Sequence, residues 1–164
     1  MIRVEIRRTR YDDPVATKLN DLLQLEYVER YGDGDMTLVN AADFDPPQGL
    51  YLLLHDAEGT AVASGGWRAQ DASPEGFEDG DAEIKRMFVV SEARGRGFAR
   101  AVLAELEASA AAAGRSRMVL ETGRRQPEAI ALYRSCGYAP IGRFGYYRHH
   151  EESVHMGKAL PGRS

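Results

Sequence analysis

The sequence predicts a mixed α/β fold, one sheet with helices on its faces, and three observations lead there. Apolar residues repeat with period two in some stretches and with the helical period in others. These stretches follow one another as strand, helix, three strands, helix, strand, helix, two strands. The 164 residues are 43% hydrophobic and 28% charged, enough for the core of a single domain and unlike a disordered chain.

Ile2, Val4 and Ile6 alternate with charged residues as a half-buried strand. Asp13-Pro14 is an N-cap followed by proline at the first helical position, and Val15, Leu19, Leu22 and Leu23 continue at helical spacing toward Tyr31-Gly32. Asp45-Pro46-Pro47 is a connector. Leu50 to His55 and Ala61 to Trp67 are apolar runs joined by Asp56-Ala57-Glu58-Gly59, which predicts an antiparallel hairpin. Residues 70–81, broken by Pro74, Gly76 and Gly80, read as a loop. In the strand Ala82 to Val90 the core candidates Ile84, Met87 and Val89 are spaced by three and then two, so one extra residue makes a β-bulge near Lys85-Arg86. Phe98 opens a helix with Val102, Leu103, Leu106 and Ala110 on one face and Gly114 at its end. Arg117 to Glu121 is a strand, and Pro127 starts a helix through Ile130 and Tyr133 that ends at Gly137, with Tyr138 packing back. Two strands, around Ala139–Arg143 and Ser153–Lys158, close the chain.

The net charge of −4 argues against a nucleic-acid partner held by bulk charge. Apolar runs such as Leu50-Tyr51-Leu52-Leu53-Leu54 are too short to span a bilayer, and the opening residues read as a strand rather than a leader. Cys136, the single cysteine, excludes an intramolecular disulfide and points to a reducing compartment. The expected setting is the cytoplasm, without a membrane partner.

Between the bulged strand and the alanine-rich helix stands Arg94-Gly95-Arg96-Gly97-Phe98-Ala99. A strand feeding a helix through such a turn aims the first backbone N–H groups of the helix at one point, and glycine lets a ligand approach them. Arg94, Arg96 and Arg100 can add charge-assisted contacts. The turn therefore reads as a phosphate or pyrophosphate cradle, with neither the Gly-Lys-Ser/Thr of a P-loop nor a Gly-x-Gly-x-x-Gly fingerprint. Arg94-x-x-Gly97-x-Ala99, followed by "LETG" and "QPEAIALYRSCGY", resembles the acyl-CoA loop, next strand and tyrosine helix of the GCN5-related N-acetyltransferase (GNAT) superfamily. The likeness is strong over 81–160 and one of layout before that.

The resemblance implies a central, largely antiparallel mixed sheet whose one parallel pair splays apart, with helices on both faces. It implies that the backbone of Phe88, Val89 and Val90 meets the pantetheine arm. Amides of Gly95, Arg96, Gly97, Phe98 and Ala99 would hold the pyrophosphate, with Arg94 flanking and Arg100 near the adenosine phosphates. Gln126 stands where relatives often carry an asparagine, and Ala129 and Tyr133 follow on the cofactor side of the helix. Tyr133 matches the tyrosine that protonates the departing thiolate, and Glu83 the strand glutamate that serves as base, directly or through water. Glu121 is a further carboxylate that either orients an amine or pairs with Arg117 or Arg124. Trp67 is either a core anchor or a wall of the acceptor pocket, and His149 or His150 borders that pocket. No metal ligand set is assigned, because the spacing of His149, His150 and His155 fits no metal motif. Six carboxylates between Asp71 and Glu83, without a lysine or arginine among them, would attract a cationic acceptor. The expected activity is acetyl transfer from acetyl-CoA to a primary amine of a small molecule or peptide, in a protein that forms a homodimer. The alternative is an acyl-CoA sensor without turnover.

Overall fold

The computed structural model describes residues 4–162, so Ile2, assigned above to the first strand, lies outside it. The chain runs β1 (Glu5–Thr9), α1 (Pro14–Tyr31), β2 (Gly49–His55), β3 (Ala61–Gln70), β4 (Asp81–Val89), α2 (Phe98–Ala112), β5 (Arg117–Gly123), α3 (Pro127–Ser135), β6 (Ala139–Pro140) and β7 (Ser153–Ala159). Seven strands form one sheet in the order β1-β2-β3-β4-β5-β7-β6. Every neighbouring pair is antiparallel except β4–β5. No helix among the described residues is long and apolar enough to cross a membrane.

The strands in mid-sheet are buried on both faces, which is why β2 reads as a continuous apolar run. Leu50, Leu52 and Leu54 meet α2 through Val102, Leu103 and Leu106, whereas Tyr51 and Leu53 meet α1 through Ala16, Leu19 and Leu23. Asp13 caps α1 by accepting from the Val15 and Ala16 amides at 2.9 and 3.2 Å, with Pro14 behind it as predicted.

The bulge falls where the spacing places it. The β3–β4 register steps from Gly66↔Lys85 to Ser64↔Phe88, and Arg86 sits at φ 61 as the single non-glycine residue in the left-handed region among those described. Gly65 and Gly66 make room opposite: a Cβ on Gly65 would lie 2.5 Å from the Met87 sulfur, and one on Gly66 2.5 Å from the Tyr51 ring.

Three boundaries differ from expectation. The loop at 70–81 is shorter, because β3 reaches Gln70 and β4 starts at Asp81. The strand expected over Ala139–Arg143 pairs only through Ala139 and Pro140; beyond it Ile141 turns inward to pack with Phe77, Val119 and Phe144. Short 3-10 turns at Ala41–Phe44 and Ser91–Ala93 carry no periodic signal; the first buries Phe44 beneath α1.

Candidate active site

The parallel pair is fastened at one end. Asp81↔Arg117, Ala82↔Met118 and Glu83↔Val119 are in register, and Arg117 clamps Asp81 with two hydrogen bonds of 2.8 and 2.9 Å. Past Glu83 the bulge turns β4 aside and the pairing with β5 stops. One face of α3, with its N-cap, lies at this opening, so that Gln126, Ala129 and Tyr133 line cavities on both sides.

The first cavity, about 440 Å³, runs from the opening along β4 to the start of α2. Phe88, Val89, Arg94, Gly95, Gly97, Phe98, Ala99 and Arg100, all positions that the family resemblance assigns to the cofactor, line it. Gly97 is the N-cap of α2 at φ 82 and offers no side-chain cap, leaving the first amides of the helix unclaimed by a side chain. No heavy atom lies within 4 Å of where a Cβ on Gly95 or Gly97 would stand, so this backbone is open to a close-fitting anion. The arginines are less free than their number suggests. Arg94 is paired with Glu26 of α1, donates to the Val89 carbonyl at 3.0 Å and lies over the Phe88 ring. Arg100 donates to Ser135 Oγ at 2.6 Å and to Cys136 Sγ at 3.3 Å. Arg96 is exposed and outside the lining. Val90 also departs from expectation: its N–H donates to the Val62 carbonyl. Because backbone groups alternate along a strand, it is Val89 whose N–H and C=O turn away from β3, the C=O already accepting from Arg94.

The second cavity, about 590 Å³, is lined from α1, the segment after it, β4, β5, α3 and the turns before β7. Its polar floor is Asp35, Lys85, Arg86 and Glu121. Asp35 reaches it because Gln24 holds its backbone on both sides, accepting from the Asp35 N–H at 2.7 Å and donating to its carbonyl at 3.3 Å. The neighbouring Met36 N–H donates to the Tyr147 hydroxyl at 2.7 Å, tying this segment to the turns before β7. Lys85 Nζ lies 3.1 Å and Arg86 Nη1 3.7 Å from Asp35 Oδ2. Although burial opposes ionisation of Asp35, the two cations prevail and hold its carboxyl down at about 2. Glu121 goes the other way: burial, with Asp35 nearby, pushes it up to about 7 against the pull of Lys85 and Ser153. The Tyr133 hydroxyl makes no hydrogen bond among the described residues, and burial raises its pKa. Its ring packs edge-on against Tyr138, whose hydroxyl donates to Glu107 at 2.8 Å.

Several candidates lie elsewhere. Glu83 is buried outside both linings, accepting from Arg68 Nε at 2.8 Å and Gln70 at 3.1 Å. Trp67 is a core residue, 1% exposed, packed toward α2 with its indole N–H on Ser109 at 3.2 Å. Glu121 is not the partner of Arg117, which is held by Asp81. His149 and His150 line the second cavity, whereas His155 is buried with Nε2 3.0 Å from the Phe144 carbonyl. The acidic loop does not face the cavity: Asp71 pairs with Arg115, Glu78 and Asp81 with Arg117, and Glu83 with Arg68. Asp35, Lys85 and Arg86 were not singled out from the sequence, where only the positions of Lys85 and Arg86 at the bulge hinted at them.

A splayed parallel pair, a glycine cradle at a helix start and a tyrosine where two cavities meet together define an acyltransferase type of site. The Acetyltransferase (GNAT) family model matches residues 16–138, and the chain belongs to that family. It is 47% identical over 83 residues to the "IAA acetyltransferase" of Azospirillum brasilense, a match covering 51% of this chain and about half, 54%, of that protein's length. It is 30% identical over 125 residues to an uncharacterised N-acetyltransferase of Schizosaccharomyces pombe, covering 71% of this chain and 72% of that one. Among solved structures, a candidate acyl-CoA N-acyltransferase from Klebsiella pneumoniae superimposes with a TM-score of 0.76 at 28% identity, covering 96% and 98% of the two chains. A GCN5-related N-acetyltransferase from Kribbella flavida shares the fold, with a TM-score of 0.70 at 20% identity over 96% and 98% of the chains.

Proposed function

We propose that the protein transfers an acyl group, acetyl from acetyl-CoA, to a primary amine bound in the larger cavity, by direct attack and without a covalent enzyme intermediate. The observation that carries this reading is the convergence of the two cavities on Tyr133. Open glycine backbone and the uncapped start of α2 suit the pyrophosphate of an acyl-CoA, and the backbone groups of Val89 turned away from β3 suit its pantetheine arm. The bound thioester supplies an activated acyl group.

In this proposal Glu121 takes the proton from the incoming ammonium, a role for which a carboxyl near 7 is matched at neutral pH. The Val89 N–H polarises the thioester carbonyl as the amine attacks. The C–N bond forms, the C–S bond breaks, Tyr133 gives its hydroxyl proton to the departing sulfur, and the surplus proton left on the new amide nitrogen passes to the Tyr133 oxygen, restoring the hydroxyl. Burial keeps Tyr133 protonated at neutral pH, as a donor in this step must be. This assignment moves the base from Glu83, held by Arg68, to Glu121. A homodimer and a cytoplasmic location belong to the same proposal.

The test is free-thiol release from acetyl-CoA against a mixed amine panel, run beside Tyr133→Phe. Acceptor-dependent release that falls sharply in the variant supports the reading. Tight CoA binding without turnover would favour the sensor, and no CoA binding would overturn both.

A further inference from the structure

Arg86 is unusual in three ways at once. Its backbone is left-handed at φ 61, a conformation that strains a residue with a long side chain. The residue is 8% exposed and lines the larger cavity, yet its Nε and Nη1 are buried without a hydrogen-bond partner. The nearest carboxylate, Asp35, stands 3.7 Å from Nη1, too far for a hydrogen bond, and is closer to Lys85 at 3.1 Å. A buried guanidinium kept only for architecture is ordinarily paired and hydrogen-bonded, and an apolar side chain of similar volume would fill the place more favourably.

The charges around it point the same way. Two buried cations, Lys85 and Arg86, share one firmly ionised carboxylate, Asp35. No carboxylate other than Asp35 pairs with Arg86 among the described residues, although Asp33, Glu121 and Glu152 also line the cavity. The guanidinium therefore stands in the cavity wall with donors unspent, beside the place a substrate would occupy.

We infer that Arg86 is a specificity residue that receives a carboxylate of the acceptor, so that the substrates of this enzyme are amino acids or related amino carboxylates. Guanidinium is suited to this by its planar fork of donors, which a lysine ammonium lacks. Lys85 and Asp35 set the local charge, and Arg86 supplies the recognition. The inference rests on the larger cavity being the acceptor site, and it reverses the cationic acceptor suggested by the acidic loop.

The experiment uses matched pairs: phenylalanine, tryptophan, methionine and glutamate beside their α-carboxamides, with thiol release read as kcat/KM. The wild type is expected to favour the acid of at least one pair by about 100-fold or more, the scale at which a built polar site rejects an analogue lacking its partner group. In Arg86→Met that ratio collapses to within a few-fold of one, and Arg86→Lys restores it only in part. A second arm needs no turnover: thermal melting in the presence of N-acetylated acids and their N-acetylated amides. The acids are expected to raise the wild-type melting temperature more than the amides, a difference lost in Arg86→Met. Ligand-free Arg86→Met should melt at or above the wild type, since it removes an incompletely paired buried charge and leaves Asp35 with Lys85.

Equal handling of acids and amides in both arms, or melting of Arg86→Met several degrees below the wild type, would overturn the inference while leaving acyl transfer intact. Selective stabilisation by the acids without thiol release from any amine would uphold the anion site and overturn the transfer reading instead.

Discussion

The two cavities that meet at Tyr133 are built from opposite materials. The cleft along β4 and α2 is made of backbone: open glycines, helix-start amides and the outward groups of Val89, with Arg94 and Arg100 engaged by side chains around it. The larger cavity is made of buried charged side chains brought from α1's end, the bulge and β5. Backbone donors are the same for every residue type, so the first cavity suits a co-substrate common to a whole family. Side-chain charge is set residue by residue, so in the proposed reaction the second is where a particular acceptor would be chosen.

Tyr133→Phe breaks the comparison where the cavities join. Loss of the proposed general acid should lower kcat by roughly 10²- to 10⁴-fold, with CoA affinity, read by calorimetry, nearly unchanged. A parallel loss of CoA binding would mean that the tyrosine serves the cleft rather than the chemistry. Next in size is Glu83→Gln, which keeps an acceptor for Arg68 but removes the buried carboxylate, leaving Asp43 at 3.5 Å and the Leu38 carbonyl as its other partners. It should cost about 1–3 kcal/mol in denaturant unfolding while the pH midpoint of activity in the folded protein stays in place. A moved midpoint would return the base to Glu83.

Glu121→Gln sharpens the contrast through pH. The wild-type rate should rise through about pH 7 as Glu121 ionises and level off above it. The variant should lose that limb and about 10²-fold in kcat. The stability effect has the opposite sign. Because burial raises the folded pKa above the ordinary 4.5 of a glutamate, Glu121 contributes stability below that pH, and the contribution is lost as pH rises through about 7. Unfolding free energy should therefore decline less between these limits in Glu121→Gln. The smallest effect belongs to the backbone cavity: Gly97→Ala, at φ 82, should cost about 1 kcal/mol of stability and raise the KM for acetyl-CoA a few-fold.

Much of the cleft was legible in order along the chain. Arg94 to Ala99 announced the cradle, the three-then-two spacing of Ile84, Met87 and Val89 announced the bulge, and Pro127 to Tyr138 announced the tyrosine helix; each lies within one short segment. The error on Val90 was one of strand direction, since a periodic pattern does not say which neighbour receives an N–H. Glu83 was placed at the site, and Trp67 was left open between core and pocket, because position on a strand does not reveal what lies above it.

The sequence alone determined the element order, the bulge and the chemistry of the helix start, because turn residues, apolar period and glycine act over a few neighbours. Only the tertiary structure decided the character of the larger cavity. Asp35 meets Lys85 from 50 residues away, Arg68 pairs with Glu83 outside it, and remote segments bury Glu121 until its carboxyl stands near 7. Charge and desolvation act through space, and no spacing along a chain records which distant groups the fold will bring together.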